Sequence, residues 1–489
     1  MQPKSPPVRR RPGARRRPAA GALGAALLAL GLAAGGCAPE PSAPSATPRH
    51  VLLITVDTLR ADHLSAYGYP RATSPAAEAL AADGVLFEHA VAQWPKTGTS
   101  FASVWTGLYP QTTGLTHEAA VRIPDSYPTL PAFMAAHGFT NVAVISNAVL
   151  SRELRWDRGF GEYLETWKAV PELPEDPVAF RALIDAGRVN ELAIPLLERH
   201  RDAERLFAWI HYSDPHAPYL LPQGVDNPFL GDRWDTGDEP ADLSDSPAAA
   251  LGDRRELSYY VAQYDANAWF ADRKIGELLA AAERFGLLDD ALVIYTADHG
   301  ESLGEHGYYF GHGRLPYRPG AWVPLIVSWP AGGVAAGRRV ERPVELVDLL
   351  PTLRDLIAPD AEVPGLEGDS LVPLLRGEPP AGAAERFDYA YAEAGGGSPT
   401  THYRTVEDEQ WKLVYHPAFD GRPKLYELYD LAADPLETRD LIADRLDQAR
   451  RLRAVLDDWL KGDWIRMRPR DVEHDEETLE ALKALGYIP

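Results

Sequence analysis

The chain has 489 residues, with 49 Lys and Arg, 71 Asp and Glu, and a single cysteine. One cysteine excludes an exported disulfide scaffold, a zinc site built from several thiolates and an iron–sulfur cluster. The net charge of −22 argues against a nucleic-acid partner, which requires a basic surface. The length is sufficient for one large α/β domain and a smaller one.

The N-terminus has the pattern of an export signal. Residues 1–36 hold seven basic and no acidic residues, and they include a short uncharged run of Ala, Leu and Gly. Small residues directly precede Cys37, which resembles a bacterial lipoprotein signal. This predicts a lipidated Cys37 that attaches the protein to a membrane of the bacterial envelope, on its periplasmic or extracellular side. A plain signal peptide or a weak anchor is the alternative. Residues 37–48 are rich in Pro, Ser and Ala and predict an extended tether.

Four aliphatic runs predict buried parallel strands, and helical patterns lie between them. The runs are 50–56, 141–145, 206–210 and 291–296. Each run ends at polar residues, and in open α/β sheets ligands bind at the carboxyl ends of the strands. These ends therefore predict one site, with candidate residues Asp57, Asn147, His211, Asp214, His216, Asp298 and His299.

Two later segments depart from this alternation. Residues 221–255 are rich in Pro, Asp and Gly and predict a long surface loop near the site. After about residue 380, two short antiparallel strands (410–415 and 424–429) and a helix (443–460) predict a small α+β subdomain. We therefore expect a catalytic domain at 49–380, a C-terminal subdomain at 381–470 and a tail at 471–489.

Several motifs together resemble the sulfatase family of the alkaline phosphatase superfamily. Residues 57–63 resemble its opening motif, residues 97–110 its nucleophile motif and residues 298–301 its metal motif. Further signatures follow in family order at 344–353, 368–377 and 428–437. The resemblance covers nearly all of residues 50–460. It implies an alkaline-phosphatase-like α/β/α sandwich with a mostly parallel central sheet, and an enzyme that hydrolyses phosphate or sulfate esters.

Metal-assisted attack on an anionic ester explains these residue types. A metal neutralises the ester oxygens and lowers the pKa of a hydroxyl. Asp57, Asp298 and His299 offer carboxylate and imidazole ligands, and the hydroxyl of Thr97 would complete the set. Thr97 lies at the start of a predicted helix, where free N–H groups favour an anion. We expect one or two divalent ions, with zinc or manganese favoured and calcium possible, and Thr97 as the nucleophile.

A second ligand set has two interpretations. In the superfamily a second metal is commonly held by an Asp and two His, which implies Asp214, His216 and His312 here. In sulfatases proper, the His of a Pro-His-x-Pro segment, here His216, contacts the ester instead. Both roles remain open. His211 is expected mainly to support the end of its strand.

The site also departs from sulfatases that use formylglycine. Thr97 occupies the position of their Cys or Ser, and His312 replaces their late Lys. Ser146 and Asn147 stand where a Lys and a His are expected. The segment around Thr97 also resembles nucleotide pyrophosphatase/phosphodiesterases, which implies that Asn147 helps hold the oxyanion. Phosphoester hydrolysis through a threonyl intermediate is therefore the preferred hypothesis. The alternatives are a sulfatase without formylglycine, a phosphoethanolamine-type transferase and an inactive binding lipoprotein.

Overall fold

A computed structural model of the chain describes residues 47–116, 122–169, 177–181, 183–231, 240–244, 246–252, 254–378, 388–395, 402–418 and 423–461. All of them belong to one compact unit, Pro44–Pro489. The predicted signal at 1–36, Cys37, the first part of the tether and the tail at 471–489 lie outside the described residues and stay predictions. Within the described ranges, no helix is both long and apolar enough to cross a membrane.

Among the described residues, nine strands form a central sheet, and two short strands form a separate ribbon. The strands are β1 (His50–Val56), β2 (Val85–Val91), β3 (Thr140–Ile145), β4 (Glu162–Glu165), β5 (Leu206–Tyr212), β6 (Ala291–Ala297), β7 (Ser302–Leu303), β8 (Tyr309–Gly311), β9 (Trp322–Ser328), β10 (Arg338–Val340) and β11 (Val344–Glu345). The ribbon is β7–β8, and the order of the central sheet is β10-β2-β9-β6-β1-β5-β3-β4, with β11 also beside β2. Only β9 runs antiparallel to its neighbours in this sheet, which confirms the mostly parallel arrangement.

Helices flank the sheet in two groups. The helices are α1 (Pro75–Ala82), α2 (Thr97–Thr106), α3 (Pro110–Thr113), α4 (Leu130–Ala136), α5 (Pro177–Arg181), α6 (Ala186–Arg199), α7 (Leu257–Arg284), α8 (Arg318–Ala321), α9 (Leu349–Ile357), α10 (Val372–Arg376) and α11 (Leu446–Trp459). The long amphipathic α7 packs against α1 and α6, while α2 packs against α4 and α9. Every residue of β1, β5 and β6 is buried, as their continuous apolar runs predict.

The C-terminal part forms a second, antiparallel sheet. Its strands are β12 (Ala390–Ala394), β13 (Tyr403–Glu407), β14 (Trp411–His416) and β15 (Leu425–Asp430), paired in that order. Helix α11 packs against β13 and β14. The two predicted strands correspond to β14 and β15, whereas β12 and β13 were not predicted. The small C-terminal α+β subdomain is confirmed.

A buried ion pair connects the C-terminal sheet to the catalytic part. Lys412 on β14 is completely buried, and its Nζ lies 2.7 Å from Glu437 Oε1. The same Nζ donates to the carbonyl of Pro316 at 3.0 Å. The other oxygen of Glu437 accepts from the backbone N–H of Arg318 at 2.5 Å. The buried Lys412–Glu437 ion pair therefore holds the segment that carries Arg318. Each charge of this pair compensates the other.

We expect Lys412→Met to lower the free energy of unfolding by about 3–5 kcal/mol, because the Glu437 carboxylate would stay buried without its cation. Urea denaturation followed by circular dichroism measures this. The matched control is Lys461→Met, which removes an exposed lysine and should change stability by less than about 0.5 kcal/mol. Equal stability of the two variants would contradict the structural role of the pair.

Candidate active site

Two carboxylates meet at the carboxyl edge of the central sheet. Asp57 directly follows β1, and Asp298 directly follows β6. The two strands are parallel neighbours, with Val56 beside Ala297. Asn147 Nδ2 donates to Asp57 Oδ2 at 2.6 Å. Asp57 Oδ1 and Asp298 Oδ2 are both buried and lack a hydrogen-bond partner among the described residues. One oxygen of each carboxylate is thus left for another ligand.

The carboxylates of Asp57 and Asp298 make the site unfavourable without a cation. Burial raises the pKa of Asp57 well above its usual range, and the neighbouring charge of Asp298 raises it further. Burial also raises the pKa of Asp298, to about 7. Buried like charges of this kind are stabilised by a proton or by a bound cation.

Two imidazoles complete the cluster. His211 Nε2 lies 3.9 Å from Asp57 Oδ2 and has no hydrogen-bond partner within the described part of the chain. His299 Nε2 lies 3.8 Å from Asp57 Oδ1 and 3.5 Å from Asp298 Oδ2. Its Nδ1 donates to the Gly300 carbonyl at 2.9 Å, so Nε2 can offer a lone pair. Burial lowers the pKa of both rings, that of His211 to about 3, which leaves them neutral.

The donor set fits a divalent cation. Asp57, His211 and Asp298 each offer a ligand atom, and these atoms lie within 4.8 Å of one another. His299 lies beside them, and we call these four residues the metal cluster. Carboxylates and imidazoles are ligand types that divalent metal ions accept in proteins.

The hydroxyl of Thr97 lies against the metal cluster. Helix α2 begins at Thr97, and Thr97 Oγ1 lies 3.2 Å from His299 Nε2. The hydroxyl of Ser100, one turn later, donates to the Asp298 carbonyl at 2.6 Å. This bond ties the first turn of α2 to the end of β6. The helix N-terminus and the Thr97 hydroxyl are therefore held at the same point as the carboxylates.

The Asn147 side chain contacts the Asp57 carboxylate and the backbone of Val149. Its Nδ2 donates to Asp57, and its Oδ1 accepts from the N–H of Val149 at 3.0 Å. These contacts orient the Asp57 carboxylate. The expectation that Asn147 holds an oxyanion gains no support from this arrangement.

The Asp214 carboxylate, predicted to bind a second metal, is bound by other groups of the protein. One carboxylate oxygen accepts from the Arg181 guanidinium, and the other accepts from the backbone N–H of Ala186 at 2.6 Å. Among the described residues, Asp214, His216 and His312 do not form a group with metal-ligand spacing. The predicted second metal site on these three residues is therefore not supported, because the Asp214 carboxylate already has a cationic partner.

His216 and His312 nevertheless lie at the site. Their ring centroids are 5.2 Å apart, and the His312 ring is 4.5 Å from that of His299. His312 Nδ1 lies 3.1 Å from Glu301 Oε1. Burial lowers the pKa of His216 to about 4, and the nearby His312 contributes to this shift. The side chain of His312 is 12 % exposed, whereas the metal cluster is buried, so His312 lies on the solvent side.

Sequence reasoning undervalued His211 and missed Arg181. Strand β5 runs two residues past the apolar run, so His211 lies inside the strand, beside Thr55 of β1, and reaches the metal cluster. A histidine in an otherwise apolar strand end was the available signal. Arg181 ends a five-residue helix, and no motif marks it.

Comparison with known proteins identifies the family of the chain. The Sulfatase family profile matches residues 49–358, and the profile of the N-sulphoglucosamine sulphohydrolase C-terminal region matches residues 304–461. The chain therefore belongs to the sulfatase family, and it is a hydrolase that acts on ester bonds.

Two relatives and one solved structure illustrate the similarity. The chain is 25 % identical over 419 residues to an ulvan-active sulfatase of Formosa agariphila, covering 82 % of this chain and 78 % of that one. It is 24 % identical over 495 residues to an N-acetylglucosamine-6-O-sulfatase of Bacteroides thetaiotaomicron, covering 85 % and 86 %. The phosphonate monoester hydrolase of Agrobacterium radiobacter has the same fold, with a TM-score of 0.65, 23 % identity and coverage of 85 % and 95 %.

Removing bound metal should destabilise the protein more at pH 8 than at pH 6. In the metal-free protein the pKa of Asp298 is about 7, above its ordinary value of 3.8. The folded state therefore takes up a proton that the unfolded state does not, and this stabilisation is lost as pH rises through about 7. Thermal midpoints with and without a chelator at both pH values measure the difference.

Asp57→Asn is the comparison variant for this measurement. It removes one carboxylate from the metal cluster, so we expect less bound metal by elemental analysis and a smaller pH effect of the chelator. A chelator effect of equal size at pH 6 and pH 8 in the unaltered protein would contradict the argument.

Proposed function

We propose that this sulfatase-family hydrolase cleaves phosphate esters through a covalent intermediate on Thr97, and that it prefers them to sulfate esters. The observation that carries the proposal is the Thr97 hydroxyl at the start of α2, 3.2 Å from His299 Nε2. A hydroxyl at a helix N-terminus beside metal ligands is placed for attack on an anionic group.

A divalent cation held by the metal cluster would lower the pKa of a neighbouring hydroxyl and neutralise charge on the ester oxygens. The unpartnered oxygens of Asp57 and Asp298 support this ligand assignment. Zinc or manganese is the proposed ion because two of the four ligands are imidazoles.

In the proposed first step, Thr97 Oγ attacks phosphorus in line with the leaving oxygen. The Oγ–P bond forms and the bond to the leaving oxygen breaks. The proton lost by the Thr97 hydroxyl is transferred to the leaving alcohol oxygen, on the side of the site where His216 and His312 lie, so no net proton is gained or lost in this step. In the second step water attacks phosphorus, restores the Thr97 hydroxyl and releases phosphate. The sum consumes one water per ester.

The preference for phosphoesters rests on the residue type at position 97. It is a threonine, not the Cys or Ser that sulfatases convert to formylglycine, and its own hydroxyl is available as the attacking group. Sulfate-ester hydrolysis without formylglycine is the second candidate. It is favoured by the relatives, since both of those described above are sulfatases.

A parallel assay on an aryl phosphate, an aryl phosphodiester and an aryl sulfate tests the preference. The purified protein is loaded in turn with zinc, manganese and calcium. We expect the highest kcat/KM on a phosphoester with zinc or manganese. Turnover of the aryl sulfate alone would establish the second candidate, and no turnover of any ester by the loaded protein would overturn the proposal.

Thr97→Ala should lower kcat/KM at least about a thousandfold, because the attacking oxygen is removed. Thr97→Ser keeps a hydroxyl and should retain measurable activity. Acid quenching during turnover, followed by peptide mass spectrometry, should detect a phosphorylated peptide containing Thr97 in the unaltered protein and none in Thr97→Ala.

The matched control is Thr106→Ala at the other end of α2. Thr106 is buried like Thr97, but its hydroxyl donates to the Ala102 carbonyl inside the helix. We expect this variant to keep its activity. Full activity in Thr97→Ala would exclude Thr97 as the nucleophile.

We also propose that lipidated Cys37 anchors the protein to a membrane of the bacterial envelope. The support is the sequence pattern before Cys37, the one cysteine of the chain. We expect the unaltered protein to sediment with membranes and to begin at an acylated Cys37, whereas Cys37→Ser should lose acylation. Cell fractionation and mass spectrometry of the N-terminal peptide test this. A mature N-terminus at another residue would contradict it.

A further inference from the structure

Arg181, the last residue of α5, is a buried cation that the mechanism above does not use. Its side chain is 4 % exposed. One guanidinium nitrogen, Nη2, donates to Asp214. The other two, Nε and Nη1, are buried and have no hydrogen-bond partner among the residues that the structure describes. Buried charged donors are rarely left without an acceptor, so an acceptor is expected there in the working enzyme.

Local hydrogen bonds fix the position of Arg181. Its carbonyl accepts from the N–H groups of Ile184 and Asp185 at 3.1 and 3.0 Å, which turns the chain directly into α6. Asp214 binds the Arg181 guanidinium and the first N–H of α6, at Ala186. Because Asp214 lies two residues after the end of β5, the guanidinium is held at the edge of the sheet that carries the metal cluster.

The charge of Arg181 acts on the site. Burial has the largest effect on both Asp57 and His216, and it raises the pKa of the first and lowers that of the second. The positive charge of Arg181 lowers the pKa of both. In addition, β3 lies next to β5, and the two residues that directly follow β3, Ser146 and Asn147, are neutral. Arg181 therefore supplies positive charge on this side of the site.

We infer that Arg181 contacts an anionic oxygen of the substrate through Nε and Nη1 and so positions the ester for attack. This inference rests on the proposed ester hydrolysis. A guanidinium suits the role because it is a fixed charge with several donors that match oxyanion geometry. The oxygen belongs either to the transferred group or to an acidic group on the leaving alcohol, and the test separates these two sources.

The competing explanation is that Arg181 only neutralises Asp214. The two explanations differ when both residues are changed. A counter-ion is no longer needed once Asp214 is neutral, so Arg181→Gln combined with Asp214→Asn should then behave like the unaltered protein. A substrate contact is not recovered in this way, because the double variant still lacks the guanidinium.

The experiment compares Arg181→Gln, Arg181→Lys and the double variant with Asp214→Asn. Arg199→Gln, which changes an exposed arginine that pairs with Glu162, is the control. The measurements are kcat and KM on the best aryl ester, the inhibition constant of inorganic phosphate, and the thermal midpoint. We expect KM or the phosphate inhibition constant to rise about tenfold to a hundredfold in Arg181→Gln and in the double variant. Arg181→Lys should recover part of the loss.

The inhibition data identify the oxygen. A weaker phosphate inhibition means that Arg181 contacts the transferred group. An unchanged phosphate constant, with a higher KM only for an aryl ester that carries a carboxylate, means that it contacts the leaving group. Unchanged values in Arg181→Gln, or recovery of KM and inhibition in the double variant, would overturn the inference.

Two further outcomes still allow a decision on Arg181: an Arg181→Gln variant that does not fold, and an unaltered protein that cleaves no ester. If Arg181→Gln does not fold, Arg181→Lys and the double variant decide the question. If the unaltered protein cleaves no ester, the proposed function fails, and calorimetric binding of inorganic phosphate to the metal-loaded protein and to Arg181→Gln still tests the contact. Equal phosphate binding by both proteins would then overturn it.

Discussion

The rest of the site depends on one repulsion, between the carboxylates of Asp57 and Asp298. The register of β1 and β6 brings them together, since Val56 lies beside Ala297 and each strand ends at the next residue. Hydrogen bonds satisfy one oxygen of each carboxylate and leave the other without a partner in the described structure. The imidazoles around them are held neutral by burial and contribute no compensating charge. The polypeptide therefore builds a site whose two carboxylates are stabilised by a bound cation or a proton.

A strained turn next to Asp57 serves the same arrangement. Thr58 has a φ of +55°, which a β-branched residue rarely adopts. In this conformation its N–H donates to Asp298 Oδ1 at 3.3 Å. The hydroxyl of Tyr264, from α7, donates to the Thr58 carbonyl at 2.7 Å and accepts from the N–H of Arg60 at 2.9 Å. A long helix on the face of the sheet thus stabilises the backbone that orients a carboxylate at its edge.

The hydrophobic pattern predicted the four central strands because each is buried on both faces, and it located Asp57 and Asp298 because they follow those strands directly. It could not fix where β5 ends, and a difference of two residues decides the roles of His211 and Asp214. Inside the strand His211 reaches the metal cluster, whereas beyond it Asp214 turns toward α6. The hydrophobic pattern also could not predict the antiparallel direction of β9, because strand direction depends on tertiary packing. Arg181 was not predictable, because a cation in a short helix has no periodic signal.

The distribution of positive charge bears on the number of metals. Asn147 orients a carboxylate, and Asp214, expected to bind a second metal, binds Arg181 instead. A guanidinium is a permanent charge that cannot activate water, whereas a second metal would lower the pKa of a bound water. The arrangement therefore favours one metal with a fixed cation over two metals. Under the proposed mechanism, hydrolysis of the threonyl intermediate would then use the imidazoles of His216 and His312 for proton transfer. Metal ligation would prevent this role, because it would occupy the imidazole nitrogens.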